Sequence, residues 1–79
     1  MRVNIFSQKG SAQNKEAISV NLKTLQGEIT ILNYHRPLLT ALTAGFVKIR
    51  KVDGQEETIQ AEGGFVEVLP KSEVNLFLD

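Results

Sequence analysis

The chain is predicted to be all-β, a flattened sandwich of about eight to ten short strands. Three observations carry this. Apolar and polar residues alternate with period two through much of the sequence. Turn-forming residues interrupt these runs at roughly 8–12-residue spacing. No stretch sustains a helical period: Ala12 to Ala17 has helical composition for only about one turn, too short to hold alone.

The elements follow in order. Met1 to Phe6 alternates and reads as a first strand. Ser7 to Asn14 is mostly polar, contains Gly10 and reads as a loop. Ile18, Val20 and Leu22 alternate with Ser19, Asn21 and Lys23, which predicts one face inward and one outward. Gln26 and Gly27 form a turn, after which Ile29 and Ile31 flank Thr30. Val47 and Ile49 alternate with Lys48 and Arg50. Asp53-Gly54 then predicts a hairpin with a type I′ turn, whose two central residues both need positive φ. Gly63-Gly64 breaks the next run, as a bulge or a close backbone approach does. Pro70, Lys71 and Ser72 make another turn, and Val74, Leu76 and Leu78 alternate with Asn75 and Phe77. Each buried Val, Ile or Leu contributes roughly 1.5–3 kcal/mol. A slip of one residue would turn a whole apolar set to water, so the pairing should be well defined.

Seventy-nine residues are expected to make one domain, residues 1–79. A chain this short buries only about 60% of its unfolded surface, so a partner is a natural source of added stability. Cysteine is absent, which excludes disulfides and thiolate metal sites. Nine basic residues balance nine acidic ones, with no long run of one sign. Broad attraction to nucleic acid is therefore not expected. No apolar run approaches the roughly 20 residues that span a bilayer. The alternating N-terminus is unlike a signal peptide, and the chain is expected to be soluble and cytosolic, meeting a membrane only through protein partners.

Few residues suggest chemistry. His35 is the lone histidine. One histidine without cysteine makes no ordinary zinc site, so a ring packed or hydrogen-bonded at the turn before Pro37 is the plain expectation. Glu28 follows Gly27 at an exposed turn, where a solvated carboxylate is the default. Glu56, Glu57 and Glu62 could be paired carboxylates for acid–base work, but nothing evident raises a pKa. They read as a solvated hairpin face, with Lys48 and Arg50 opposite as cross-strand partners. Gly63-Gly64 leads into a strand and not a helix, unlike a nucleotide loop. Leu38, Leu39 and Leu42 break the alternation, as core residues or as an outward-facing interface. No nucleophile–base pair or metal cluster supports an enzyme, and no cofactor is expected.

The run Gly27 to Gly45, GEITILNYHRPLLTALTAG, resembles the signature of the epsilon subunit of F-type ATP synthases. The likeness extends to Gly45–Arg50, to the Asp53-Gly54 hairpin, to Gly63–Val68 and to the last strand, so it covers essentially the whole chain. Thr30 stands where the family commonly has glycine, and Asn33-Tyr34 replaces its usual Pro-Gly, which leaves the geometry of that corner open. Typical members carry a C-terminal helical hairpin; a chain ending at Asp79 resembles short members without it, and the hairpin's restraint of rotation and ATP binding are not carried over.

The resemblance implies a non-catalytic central-stalk (rotor) subunit at the cytoplasmic face of a bacterial inner membrane. It would link the gamma subunit to the membrane c-ring and support coupling of proton flow to ATP synthesis. Glu28, Asn33 and Arg36 would then lie on the c-ring side, and His35 and Thr40 on the gamma side. The alternative from composition and periodicity alone is a small β-sandwich protein-interaction adaptor.

Overall fold

The alternating runs become eight strands: β1 (Arg2–Ser7), β2 (Ala12–Thr24), β3 (Gly27–Leu32), β4 (Leu38–Leu42), β5 (Gly45–Lys51), β6 (Glu56–Ala61), β7 (Gly64–Leu69) and β8 (Glu73–Leu78). The structure, a computed structural model, describes residues 1–8 and 10–79. All regular elements among the described residues are strands.

The hydrogen-bonded path runs β1-β8-β7-β4-β2-β5-β6, with β3 joined to β2 and β1 also paired with β2. The long β2 belongs to both layers. Its first half, from Ala12 to Glu16, pairs antiparallel with β1. Its second half lies between β3 and β5. Among the described residues only β1 and β8 run parallel, an arrangement that joins the first strand to the last.

One core serves both layers. It draws Val3 and Ile5 from β1, Val20 and Leu22 from β2, and Val66, Val74 and Leu76 from the distant end of the chain. Period-two alternation places these side chains inward and leaves the outer faces to polar or partner-facing residues. Thr24 is the one buried polar residue among those described. Its hydroxyl donates to the Gly27 carbonyl at 2.8 Å and accepts from the Gln26 amide at 3.0 Å, which closes the β2–β3 turn.

Several expectations need correction. The anticipated loop from Ser7 to Asn14 is shorter: β1 reaches Ser7 and β2 already begins at Ala12, because β1 supplies an antiparallel partner there. Residue 9 of that loop lies outside the described residues. Ile18 does not share the inward face of Val20 and Leu22. The β2–β5 register shifts between Ala17 and Ser19, and this bulge turns Ile18 outward while Ala17 fills the core.

The Asp53-Gly54 hairpin exists, but not as a type I′ turn. Only Gly54 has positive φ, at 89°, and its amide donates to the Lys51 carbonyl at 3.0 Å. The Gln55 amide in turn donates to Asp53 Oδ1 at 2.9 Å. This is the three-residue pattern in which a left-handed glycine follows an ordinary turn.

The Gly63-Gly64 expectation holds as a close approach. Gly64 has a φ of 131°, and a side chain there would overlap the Phe77 carbonyl of β8.

Candidate functional site

The two outer faces of the sandwich have different chemistry. On the β3-β2-β5-β6 face, polar groups satisfy one another across strands. Asn21 Nδ2 donates to Thr30 Oγ1 at 2.9 Å and to Glu28 Oε2 at 3.2 Å. Arg50 lies opposite Glu56, 3.5 Å away. Lys48 faces Thr58 and not a glutamate, so the anticipated pairing holds for Arg50 alone.

The glutamate that does gather cations is Glu57. It sits in register with inward-facing Ile49, at the open edge of the sandwich. Lys15 Nζ approaches it to 2.8 Å and Lys51 Nζ to 3.5 Å. Lys15 comes from the first half of β2, so the pair ties one layer to the other. The hydrogen bond from Lys15 is the main reason the Glu57 carboxyl is held below its ordinary pKa; both ammonium charges add to this, against some desolvation.

The β4-β7-β8-β1 face carries two parallel rows. In one, register places Ala41, Phe65, Phe77 and Phe6 side by side on four strands. Phe6 and Phe77 stack with centroids 5.3 Å apart and planes 16° from parallel. The three rings remain 40%, 54% and 42% exposed in the order Phe6, Phe65, Phe77. They line an open hollow of about 250 Å³.

The next row is Leu39, Glu67, Asn75 and Asn4. Asn4 Nδ2 donates to Asn75 Oδ1 at 2.9 Å and Asn75 Nδ2 donates to Glu67 Oε1 at 3.1 Å. Asn4 Nδ2 also donates to Glu73 Oε2 at 3.0 Å. An amide ladder therefore holds two carboxylates beside a bare aromatic stripe. Aromatic groups flanked by ordered polar groups are the composition of a protein-docking surface.

The residues singled out in the sequence fall at several places. Glu28 opens β3, opposite Lys23. Asn33 follows the end of the same strand, about 17 Å further along an extended backbone, so these two do not meet. Tyr34, His35 and Arg36 turn the chain: the His35 amide donates to the Leu32 carbonyl at 3.2 Å. His35 Nδ1–H donates to the Arg36 carbonyl at 2.8 Å, which fixes the half-buried ring at the corner. Thr40 lies in β4 opposite Val66, on the partly covered side of the strand. Of the three leucines, Leu42 is buried, Leu38 packs against the core, and Leu39 is 68% exposed. Glu56 and Glu62 are exposed.

The aromatic stripe escaped the sequence reading. Its signal was present: Phe77 stands between Leu76 and Leu78, and Phe65 beside Val66, so these strands are apolar on both faces. A strand apolar on both faces asks for a second cover.

Known proteins place this geometry. The model of the family described as ATP synthase, Delta/Epsilon chain, beta-sandwich domain matches residues 1–77. An ATP synthase epsilon chain of Alkalihalophilus pseudofirmus is 39% identical over 70 residues, covering 89% of this chain and 52% of that protein. A chain of the Euglena gracilis mitochondrial ATP synthase, in a structure of its OSCP, F1 and c-ring, superposes with a TM-score of 0.83 at 18% identity, over 96% of this chain and 48% of that one. A chain from the central stalk and c-ring of the Tetrahymena thermophila mitochondrial ATP synthase gives 0.77 at 20% identity, over 99% and 62%. The chain thus spans about half the length of the curated relative it matches.

Proposed function

The chain belongs to the ATP synthase delta/epsilon β-sandwich family, and from that premise we propose that it is a central-stalk (rotor) subunit of a rotary F-type ATP synthase. It links the gamma subunit to the membrane c-ring and supports the coupling of proton flow to ATP synthesis. Residues 1–79 act as one sandwich unit. The subunit is non-catalytic and works by holding its partners. It lies at the cytoplasmic face of a bacterial inner membrane, attached through proteins.

The observation that supports this reading best, beyond family membership, is the bare Ala41–Phe65–Phe77–Phe6 stripe on a hydrogen-bonded sheet. A rotor element must carry torque through its contacts. Sheet-borne aromatic side chains, whose backbone is fixed on both sides by neighbouring strands, suit that task better than loop residues. His35 and Thr40 serve the gamma side. Glu28, Asn33 and Arg36 serve the ring side. Glu28 and Asn33 are about 17 Å apart along β3, so successive ring loops meet them rather than a single one. Each exposed polar contact is worth about 0–1 kcal/mol. Repetition around the ring supplies what single bonds lack, and gamma is the principal anchor.

The test is co-expression with the gamma subunit of the same genome, followed by size exclusion and calorimetry. A one-to-one complex is expected. A folded chain that ignores gamma and binds an unrelated protein would favour a small β-sandwich adaptor instead.

A further inference from the structure

The Gly63–Val68 segment supplies a close strand approach at Gly64 and an exposed ring at Phe65; its charged residue, Glu67, has no part in either. Glu67 lies in β7 and is half-buried. It is the one charged residue lining an open depression of about 330 Å³, whose other walls include Pro37, Leu38, Leu39, Leu69 and Pro70. Register puts Leu39 of β4 on one side of it and Asn75 of β8 on the other. Phe65 and Leu69 are its neighbours on the same face along β7. None of these four is a cation.

The carboxylate is held in place but not neutralised. Asn75 Nδ2 donates to Glu67 Oε1 at 3.1 Å, and Asn75 Oδ1 is itself engaged by Asn4. A carboxylate has about four acceptor sites, so most of this capacity stays open. Among the described residues the ion pairs are those of Glu56 and Glu57 with Arg50, Lys15 and Lys51, on strands β2, β5 and β6. Glu67 is therefore an ordered anion without an ion-pair partner among the described residues.

The position of Glu67 indicates what meets it. The Leu39–Glu67 pair lies two residues from the Ala41–Phe65 pair that begins the aromatic stripe, about 7 Å away on the same face. A standard protein interface covers about 800 Å² on each partner, a patch roughly 16 Å in radius. A partner seated on the stripe thus covers Glu67 as well. Covering an ionised carboxylate without a counter-charge is strongly unfavourable, so the partner must bring a cation to this place. Gamma is the partner that the rotor reading assigns here. Thr40, which serves gamma, sits on β4 between Leu39 and Ala41, whereas Glu28, Asn33 and Arg36 of the ring side lie on β3 or the corner after it. The apolar walls select the form of the cation. A guanidinium is planar and weakly hydrated, so it can lie against leucine and proline while its N–H groups reach the carboxylate; a strongly hydrated ammonium suits such walls less well.

We propose that Glu67 is a specificity-determining residue of the gamma interface and receives an arginine side chain of gamma, set beside the apolar row that covers Phe65, Phe77 and Phe6. This rests on the rotor reading.

The experiment uses the whole chain and gamma from the same genome. Affinity is measured by calorimetry at about 0.1 M and about 1 M salt, between which the screening length falls from about 10 Å to about 3 Å. Stability is measured by thermal melting. Glu67→Gln keeps the shape and an oxygen for Asn75 but removes the charge. It is expected to melt with the parent, to bind gamma about tenfold or more weakly at low salt, and to show a smaller salt dependence than the parent. Glu67→Arg is expected to abolish binding to the parent gamma. Binding should return with one member of a series of gamma variants in which each exposed arginine is changed in turn to glutamate.

Unchanged affinity in Glu67→Gln, with the parent binding normally, overturns the inference alone, and so does a loss of affinity matched by an equal loss of thermal stability. Recovery of Glu67→Arg by none of the arginine variants overturns the choice of arginine. Loss of ring binding with gamma affinity intact overturns the assignment to gamma. Failure of the parent to bind gamma overturns both the inference and the rotor reading beneath it.

Discussion

The outer face of β3-β2-β5-β6 and the outer face of β4-β7-β8-β1 are built on the same period-two pattern, yet they differ in how their exposed apolar groups are arranged. The first pairs its polar groups across strands, with Asn21 serving Thr30 and Glu28 and Arg50 against Glu56, while Ile18, Leu32 and Phe46 stay exposed without a ring-on-ring stack. The second satisfies its amides and carboxylates in one row and leaves three phenylalanines uncovered in the next. The lesson is that exposure alone does not mark an interface. Exposed charges that answer one another need nothing further, whereas a row of aromatic rings in register has one side without contacts.

The largest way to break this contrast is at Gly64. Its φ of 131° and its approach to the Phe77 carbonyl are what let β7 and β8 bring Phe65 and Phe77 together. Gly64→Ala is expected to cost on the order of 3 kcal/mol, read as a lower urea midpoint. A midpoint equal to the parent's would mean the two strands can separate at that position without loss.

A second substitution separates folding from docking. Phe65→Ala with Phe77→Ala removes exposed rings, so the isolated fold should lose only about 1 kcal/mol. Affinity for gamma should fall roughly 30-fold or more. Equal losses in both measurements would make the stripe a structural feature. Replacing Glu28, His35 and Thr40 together is expected to weaken assembly of the stalk with the ring while leaving the melting curve of the isolated chain intact; loss of folding would make those residues structural.

The smallest effects belong to the charged groups. Glu57→Gln should cost about 0.5–1 kcal/mol, because the Lys15 pair is only partly shielded from water. The pH dependence follows from the sign of the shift. Glu57 has a lower pKa folded than unfolded, so its contribution is complete above the unfolded value and disappears as pH falls through the folded one. Melting curves of parent and Glu57→Gln should therefore converge in acid and separate toward neutrality. Lys48→Gln, opposite Thr58, should change stability by less than about 0.5 kcal/mol.

Much of this was legible in the residues. The inward parity of Val47, Ile49, Val74, Leu76 and Leu78 followed from alternation, and all are buried. The close approach at Gly64 followed from a glycine pair interrupting a strand. Less legible were places where a neighbour decides the outcome. Ile18 reads as core until the bulge against β5 turns it outward. Ala12 to Ala17 has helical composition, but β1 draws it into a strand because a paired backbone outweighs a weak local preference. At the corner, Tyr34 keeps a glycine-like φ since Ser72, far along the chain, holds its amide.

The sequence by itself determined that the chain is built of strands, the inward parity of β5 and β8, and where most of the turns fall, though not the type of the Asp53-Gly54 turn or the start of β2. These depend on local periodicity and on the backbone freedom of single residues. Only the tertiary structure decided that β8 lies parallel to β1 and that β7 lies against β4. Strands of the same period can pair in several orders, and the chosen order depends on closing one core around all eight at once. The stripe of Phe6, Phe65 and Phe77 is a product of that closure, because rings so distant in the chain become neighbours only through the register of strands that are themselves far apart in sequence.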